Sequence, residues 1–355
     1  MEWHDNSCRR LDLVSFDGIE SCRRCGSFAG LTKPPLLPPI KHRSEIRLLR
    51  LLPGTFDEDI QCEVIIQDLS AKPEYEAISY SWADETGNSD KLEIILISGK
   101  PFRVTRNCQT ALKRIRRLYS YRNVWIDAVC IDQDNIKERG HQVQLMPHIY
   151  SGAHKVLIYV GEAANRSDWC LDTLSTLSQK GYDPVTFEPP LKHFLAREYF
   201  HRIWVLQEVA LARRATLICG DKSIPWHAFV NNQSDLSTMS KTWDYSTLPA
   251  VIYFNFHTYT RPRRFLYLLD LARNCRAEDP RDKVFALLGL AVDVSLDGIV
   301  PDYGLDVVDV YTKVALYLGP TYGWSNLLYR SGSTALLLLI IATGTTCSAV
   351  AHLPA

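Results

Sequence analysis

The segment NVWIDAVCIDQ, residues 123–133, places two acidic side chains in an apolar run that is typical of a buried strand. Asp127 lies inside this run and Asp132 follows it, with Gln133 next in the chain. Burial of a carboxylate costs free energy unless the group is paired or used in chemistry. Asp127 therefore requires a donor, either a backbone amide or an arginine such as Arg139 of the next predicted helix. These residues indicate a polar site at the strand end, with local backbone capping an equal alternative for both aspartates.

Other polar and aromatic side chains follow the neighbouring predicted strands. Ser81, Trp82 and Asp84 come at the end of YEAISYSW, residues 75–82, and Glu162 comes after HKVLIYVG, residues 154–161. In open α/β sheets the ligand crevice lies beyond the carboxyl ends of the strands. We therefore expect these side chains to share one rim with Asp132 and Gln133.

Strands and helices alternate through residues 44–230. SEIRLLRLLPG and IQCEVIIQDL predict a hairpin at the sheet edge, and KLEIILISGKPFRVT predicts a second hairpin around Ser98 and Gly99. NCQTALKRIRRLYS predicts a helix capped by Asn107 whose apolar face extends to Leu118. The next predicted helix, near 135–150, contains Pro147, which should kink it or end it early. Right-handed βαβ units of this spacing imply a largely parallel sheet flanked by helices.

Residues 231–320 read as a helical extension that packs on this domain. Asp279 and Pro280 indicate a helix start. DVVDVYTKVALYLG predicts a further amphipathic helix. Its apolar side is formed by Val307, Val310, Tyr311, Val314 and Leu318.

The composition and the start of the chain limit which partners and which compartment are expected. The 355 residues are 46% hydrophobic, and 40 basic side chains balance 40 acidic ones, so neither a nucleic-acid nor an anionic-membrane partner is indicated. The start of the chain has no secretory h-region, and its ten cysteines fall short of a disulfide scaffold, which favours the cytoplasm. Residues 1–43 read as a loose leader with a proline-rich linker; a zinc site is the less favoured alternative there, with the ligands His4, Cys8, Cys22 and Cys25.

Residues 321–355 are an atypical apolar tail. STALLLLIIATGTTCSAVAHLPA, residues 333–355, contains an apolar run that is short for a membrane span and lacks a basic flank. We favour a gene-model artefact over a tail anchor.

Four segments carry a family resemblance. They are YEAISYSWAD (75–84), VWIDAVCIDQDNIKERGHQVQLMPHIYSGAHKVLIYVG (124–161), RIWVLQEVALAR (202–213) and DPRDKVFALLGL (279–290). In this order they resemble the successive blocks of fungal heterokaryon incompatibility (HET) domain proteins, over about residues 44–318. The resemblance implies an intracellular effector of programmed cell death in fungal allorecognition and related innate immunity. It also implies self-association and an upstream recognition or NLR-type protein as partner.

The HET domain is in turn similar, more distantly, to Toll/interleukin-1 receptor (TIR) domains, which have a flavodoxin-like parallel sheet. Some TIR domains cleave NAD with the glutamate of a W-C-L-x-E motif. WVLQEV places Glu208 four residues after Trp204 and precedes the strand-like ATLICG. SDWCLDTL, residues 167–174, matches the letters more closely but has Thr173 in the glutamate position. We prefer Glu208, with residues 165–197 as an insertion.

This resemblance implies roles for the rim residues. Glu208 would stabilise the oxocarbenium character that develops on the ribose, as in glycoside hydrolysis. Trp82 or Trp204 would stack on a flat ring, and Ser81 or Asp84 would bind the ribose hydroxyls. NAD would be the substrate, and no other cofactor is required.

Each of these residues also has a plainer interpretation. The tryptophans, Trp125 above all, could be core aromatics, and Glu208 could pair with Arg202 or Arg213 on a solvated surface. Glu138 could only complete a capping box with Asn135. On this interpretation the protein is a non-catalytic signalling module that acts through self-association.

Overall fold

The computed structural model describes residues 12–16, 19–22, 37–180, 183–230, 249–253, 263–294, 298–324 and 327. A short hairpin, β1 and β2, precedes a nine-stranded sheet with the spatial order β11-β10-β9-β5-β8-β3-β4-β6-β7. The strands are β1 Leu13–Phe16, β2 Ile19–Cys22, β3 Glu45–Leu51, β4 Gln61–Asp68, β5 Glu76–Tyr80, β6 Glu93–Ile97, β7 Lys100–Val104, β8 Arg122–Trp125, β9 Lys155–Tyr159, β10 Ala215–Cys219 and β11 Lys222–Pro225.

The centre of the sheet is parallel. Strands β10, β9, β5 and β8 pair in parallel, and Ala77 of β5 lies opposite Val156 of β9. Both residues are fully buried, as expected for strands covered on both faces. The predicted α/β class, with a largely parallel central sheet flanked by helices, is confirmed.

Eleven helices lie in the described part of the chain. They are α1 Arg106–Ile115, α2 Asp127–Cys130, α3 Ile136–Gly152, α4 Ser167–Lys180, α5 Pro184–Leu195, α6 Trp204–Ala210, α7 Trp226–Val230, α8 Ala250–Tyr253, α9 Phe265–Leu271, α10 Asp282–Leu288 and α11 Val307–Tyr322. Helices α4 and α5 lie between β9 and α6, within residues 165–197, and α10 packs on α6. None of these helices is long and apolar enough to cross a membrane. The apolar tail lies outside the described residues.

Both predicted hairpins form, but the first lies elsewhere in the sheet. β3 pairs antiparallel with β4, yet β3 also pairs with β8 and β4 with β6, so this hairpin is internal and the edge prediction is wrong. The edge strand on this side is β7. In the second hairpin, Ser98 and Gly99 both have positive φ, at 50° and 75°. Such a turn matches the twist of the flanking strands.

The predicted boundaries of α1 need two corrections. Thr105, and not Asn107, caps the helix, because its side chain accepts from the amide of Cys108 at 3.2 Å. Asn107 instead donates its side-chain amide to the carbonyl oxygen of Ser81 at 2.5 Å. The helix ends at Ile115, and Leu118 is 56% exposed, so it does not belong to the buried face.

The strand predicted from NVWIDAVCI ends early. β8 stops at Trp125, and the chain turns at Ile126 into the short helix α2, which begins at Asp127. Asp127 therefore lies just beyond the strand end and not inside the strand. The continuous apolar pattern arises because Ala128, Val129 and Cys130 are as buried as the strand itself.

Pro147 does not end α3, which continues to Gly152, so the prediction of an early end is wrong. The ring of Pro147 packs against Gly289, directly after α10, so closely that a Cβ on this glycine would overlap it. The missing side chain therefore permits α3 and α10 to meet.

Substitution of Gly289 by Ala is expected to destabilise the protein by roughly 1–3 kcal/mol, because the ring of Pro147 belongs to a helix backbone and cannot move aside. Gly140 of α3 is a matched control, since a Cβ there would meet its nearest atom at an ordinary 3.6 Å. Gly140→Ala should be neutral or slightly stabilising. Urea unfolding of the two variants measures both effects, and equal midpoints would contradict the expectation.

Two further predictions differ from the structure. Val310, Val314 and Leu318 of α11 are buried as expected, but Val307 is 38% exposed. The described part of the leader contains the hairpin β1–β2. Its Cys22 is fully buried, and the carbonyl oxygen of Cys22 accepts from Arg103 at 2.9 Å.

Candidate functional site

A cleft of about 910 Å³ opens beyond the carboxyl ends of β5 and β8. Four parts of the chain build it: the segments directly after these two strands, helix α3, the region of α6, and the segments around α10 and α11. Six of the predicted site residues line it, namely Ser81, Trp82, Asp127, Gln133, Trp204 and Glu208. The cleft therefore combines the predicted strand-end residues with the predicted glutamate.

Glu208 lies at the base of the cleft and is 3% exposed. Ser79, a fully buried residue of β5, donates its hydroxyl to Glu208 Oε2 at 2.5 Å. The Tyr199 hydroxyl lies 2.7 Å from the Ser79 oxygen. Since Ser79 has a single proton, Tyr199 must donate to it whenever Glu208 is ionised. The interpretation of Glu208 as an exposed surface residue is wrong.

Burial raises the pKa of Glu208 to about 7, an effect that the nearby charge of Arg202 and the Ser79 hydrogen bond only partly offset. Burial likewise raises the pKa of Asp127 against the effect of Arg202. Arg202 itself donates to the carbonyl oxygen of Tyr80. The charge of one arginine thus acts on both carboxylates of the cleft, the buried Glu208 and the partly buried Asp127, and it partly offsets their negative charge.

Asp127 finds the two donors that its burial requires. The indole N–H of Trp82 donates to Oδ2 at 2.8 Å, and the amide of Ala128 donates to Oδ1 at 2.7 Å. Gln133 donates its side-chain amide to the carbonyl oxygen of Asp127 at 3.0 Å. The backbone-amide alternative is thus the one realised, while Arg139 stacks on another residue of the cleft.

The second tryptophan of the cleft is held by a carboxylate from the C-terminal helices. Asp282 accepts from the indole of Trp204 and, at 2.6 Å, from the hydroxyl of Tyr303. Burial raises the pKa of Asp282 despite these donors. Trp82 and Trp204 are both partly exposed, so their rings are fixed at the cleft wall and not enclosed in the core. Trp125, in contrast, is fully buried, as expected.

Three strand-end acids lie outside this cleft. Asp84 accepts from the amides of Thr86 and Asn88 in a turn and lines a smaller neighbouring pocket. Asp132 accepts from the amide of Asp134 at 3.2 Å, which is the capping alternative. Glu162 pairs with Arg114. Of the zinc candidates only Cys22 is described; His4, Cys8 and Cys25 lie outside the described residues.

Glu138 does more than complete a capping box. Its amide does donate to the Asn135 side chain at 3.2 Å, but its carboxylate binds the buried Arg47 at 2.5 and 3.0 Å. Glu138 also accepts from the amide of Asp132 at 2.8 Å. This pair therefore ties β3 to the loop that carries Gln133.

Sequence reasoning missed several residues of the site. Ser79 is a small polar residue between Ile78 and Tyr80 in the buried part of β5, and this interruption was the available signal. Tyr199, Asp282 and Tyr303 carried no local signal, because each reaches the site from a segment distant in the chain. Arg202 was named only as a surface partner.

The high pKa of Glu208 gives the stability of the protein a definite pH dependence. The folded state retains a proton on Glu208 up to about pH 7, whereas the unfolded chain releases it near 4.5. Stability should therefore fall as pH rises through this window, and Glu208→Gln should remove that loss. Relative to the variant, the wild type should lose on the order of 2–3 kcal/mol between pH 5 and pH 8.

Urea unfolding at the two pH values measures this difference, with the exposed Glu63→Gln as the matched control. If the difference in unfolding free energy between the wild type and Glu208→Gln is the same at pH 5 and pH 8, the prediction is contradicted.

Comparison with known proteins gives a family match and a curated relative. Residues 75–208 match the family model described as Heterokaryon incompatibility protein (HET). The match over these residues confirms the resemblance to HET domains found in the sequence. The chain is also 27% identical to Heterokaryon incompatibility protein 6, OR allele, of Neurospora crassa, in an alignment 349 positions long that covers 77% of this chain and 51% of the Neurospora protein.

The chain spans about half the length of the curated relative that it matches. No solved structure matches it, so the similarity to TIR domains stays a prediction. The matched family segment ends at Glu208, while the far wall of the cleft, from Arg276 to Asp282 with Tyr303, lies beyond it.

Proposed function

We propose that this protein acts in heterokaryon incompatibility as a cell-death effector, and that its cleft hydrolyses NAD at the nicotinamide glycosidic bond. The assignment to incompatibility is supported by the HET family match and by the name of the Neurospora relative. One observation supports the enzymatic part: Glu208 is a buried carboxylate at the base of a cleft that also holds Trp82 and Trp204.

The reaction requires little from the protein beyond charge and position. When the bond between ribose C1′ and the nicotinamide nitrogen breaks, its electron pair leaves with neutral nicotinamide and positive charge develops on the ribose. Ionised Glu208 stabilises this charge at the cleft base, where a low dielectric strengthens the attraction. Water then attacks C1′ and loses a proton to solvent, which gives ADP-ribose.

The remaining groups orient the substrate. The ring of Trp82 or Trp204 stacks on the nicotinamide, since both indoles are already held by carboxylates. The positive ring of bound NAD favours the ionised form of Glu208, which lowers the pKa of this carboxyl in the complex.

The test is nicotinamide release from NAD by the purified full chain, together with the NAD content of cells that express it. The proposal expects stoichiometric release of nicotinamide and ADP-ribose. If expression kills cells while NAD remains intact, the enzymatic part is wrong. The working model then becomes a non-catalytic module that acts through self-association.

A further inference from the structure

One arginine of the cleft, Arg139, lies outside the hydrogen-bonded group of residues around Glu208 described above. Arg139 of α3 lines the cleft, and its guanidinium carbon lies 4.0 Å from the centre of the Tyr303 ring. Its Nε is buried and has no hydrogen-bond partner among the residues that the structure describes. A buried donor without a partner is unfavourable, so its presence calls for an explanation.

The other arginines that line the cleft are already engaged. Arg202 donates to the Tyr80 carbonyl oxygen, Arg276 pairs with Glu198, and Arg281 pairs with Asp279. Within the described ranges, Arg139 is therefore the lining arginine whose side chain makes no hydrogen bond to protein.

The acids close to Arg139 do not fill its hydrogen-bonding capacity. Hydrogen bonds from Arg281 lower the pKa of Asp279, and the charge of Arg139 adds to this effect. Burial raises the pKa of Asp282, and the charge of Arg139 opposes that rise, so both acids lie near Arg139. Asp279 is taken by the guanidinium and the amide of Arg281. Asp282 is taken by Tyr303 and Trp204. The planar donor edge of Arg139 thus remains available for a ligand.

The platform beneath Arg139 is rigid. The Tyr303 ring packs edge-on against Phe285 at 5.2 Å, and its hydroxyl donates to Asp282 at 2.6 Å. A guanidinium stacked on a fixed ring keeps its N–H groups in one plane, which matches the oxygens of a phosphate group.

We propose that Arg139 binds the diphosphate of a dinucleotide ligand, in the same cleft whose base holds Glu208. The inference deepens the proposed function and rests on it for the identity of the ligand. The cleft volume of about 910 Å³ is within the range of small-molecule sites. Because Arg202, Arg276 and Arg281 each already have a protein partner, we expect the diphosphate to depend mainly on Arg139.

The experiment measures binding by the full chain without turnover, by calorimetry with ADP-ribose, adenosine and inorganic pyrophosphate. Arg139→Gln should weaken the affinity for ADP-ribose about tenfold or more and leave the affinity for adenosine unchanged. Pyrophosphate should compete with ADP-ribose for the wild type but not for this variant. Arg139→Lys keeps the positive charge but loses the planar guanidinium, so it should weaken the affinity for ADP-ribose less than Arg139→Gln does. It replaces the glutamine variant in the test if that variant does not fold. The control Arg213→Gln makes the same charge change at an exposed position.

Equal ADP-ribose affinity in wild type and Arg139→Gln would overturn the inference, as would an equal loss for adenosine or no binding by the wild type. Nicotinamide release is measured separately, so the two proposals can fail independently. Binding through Arg139 without NAD cleavage refutes the enzyme and retains the subsite. If Arg139→Gln cleaves NAD with an unchanged KM, the enzyme assignment stands and the Arg139 subsite is refuted.

Discussion

Glu208→Gln is expected to reduce nicotinamide release from NAD by at least about 100-fold, since removal of a single preorganised charge at a reacting centre costs this much in other enzymes. Glutamine has nearly the same shape and can still accept from Ser79, so the fold should be preserved. The loss should fall on kcat and leave ADP-ribose affinity little changed, because the carboxylate acts on charge that develops only in the transition state.

The pH profile gives an independent check of the same residue. Because burial raises the pKa of Glu208 to about 7, the wild-type rate at limiting NAD should rise between pH 6 and pH 8. The residual rate of Glu208→Gln should lack this rise. The exposed Glu63→Gln should match the wild type throughout. Full activity of Glu208→Gln at pH 7.5 would exclude the carboxylate from catalysis.

Glu138→Ala is expected to destabilise the protein by roughly 3–5 kcal/mol, because it leaves the charge of Arg47 buried without its counter-ion. Arg47 is 1% exposed and its remaining partners are the carbonyl oxygens of Pro38 and Cys130. The amide of Asp132 would lose its acceptor at the same time. Thermal and urea unfolding measure the effect, and a loss below 1 kcal/mol would contradict it.

Two controls separate the buried charge from the loss of a side chain. Glu188→Ala removes an ion pair with Lys192 whose side chains are 24% and 48% exposed, and it should cost at most about 1 kcal/mol. The double variant Arg47→Met with Glu138→Leu should recover most of the stability, because apolar side chains can replace a buried pair. If the double variant does not recover stability, the loss in Glu138→Ala comes from the packing of the loop that carries Gln133 and not from the buried charge.

Local sequence patterns identified most of the elements. The buried parallel strand KVLIY carries a continuous apolar run after Lys155, and Ser98 with Gly99 marks the two-residue turn of a hairpin. The cap of α1 and the end of β8 were predicted wrongly because the local sequence allowed two interpretations at each place. Thr105 and Asn107 are both good caps, and apolar burial continues from β8 into α2 without a change in composition.

The sequence by itself determined the class of fold, the resemblance to the HET family and the side chains at the strand ends, because these depend on periodicity and on motifs within short segments. Only the tertiary structure decided which of them meet. It brought Glu208 to Ser79 and Arg202, separated Asp84 and Asp132 from the cleft, and added Asp282 and Tyr303 from beyond the matched domain. The pKa of a carboxyl depends on burial and on charges distant in the chain, and these exist only once the chain is packed.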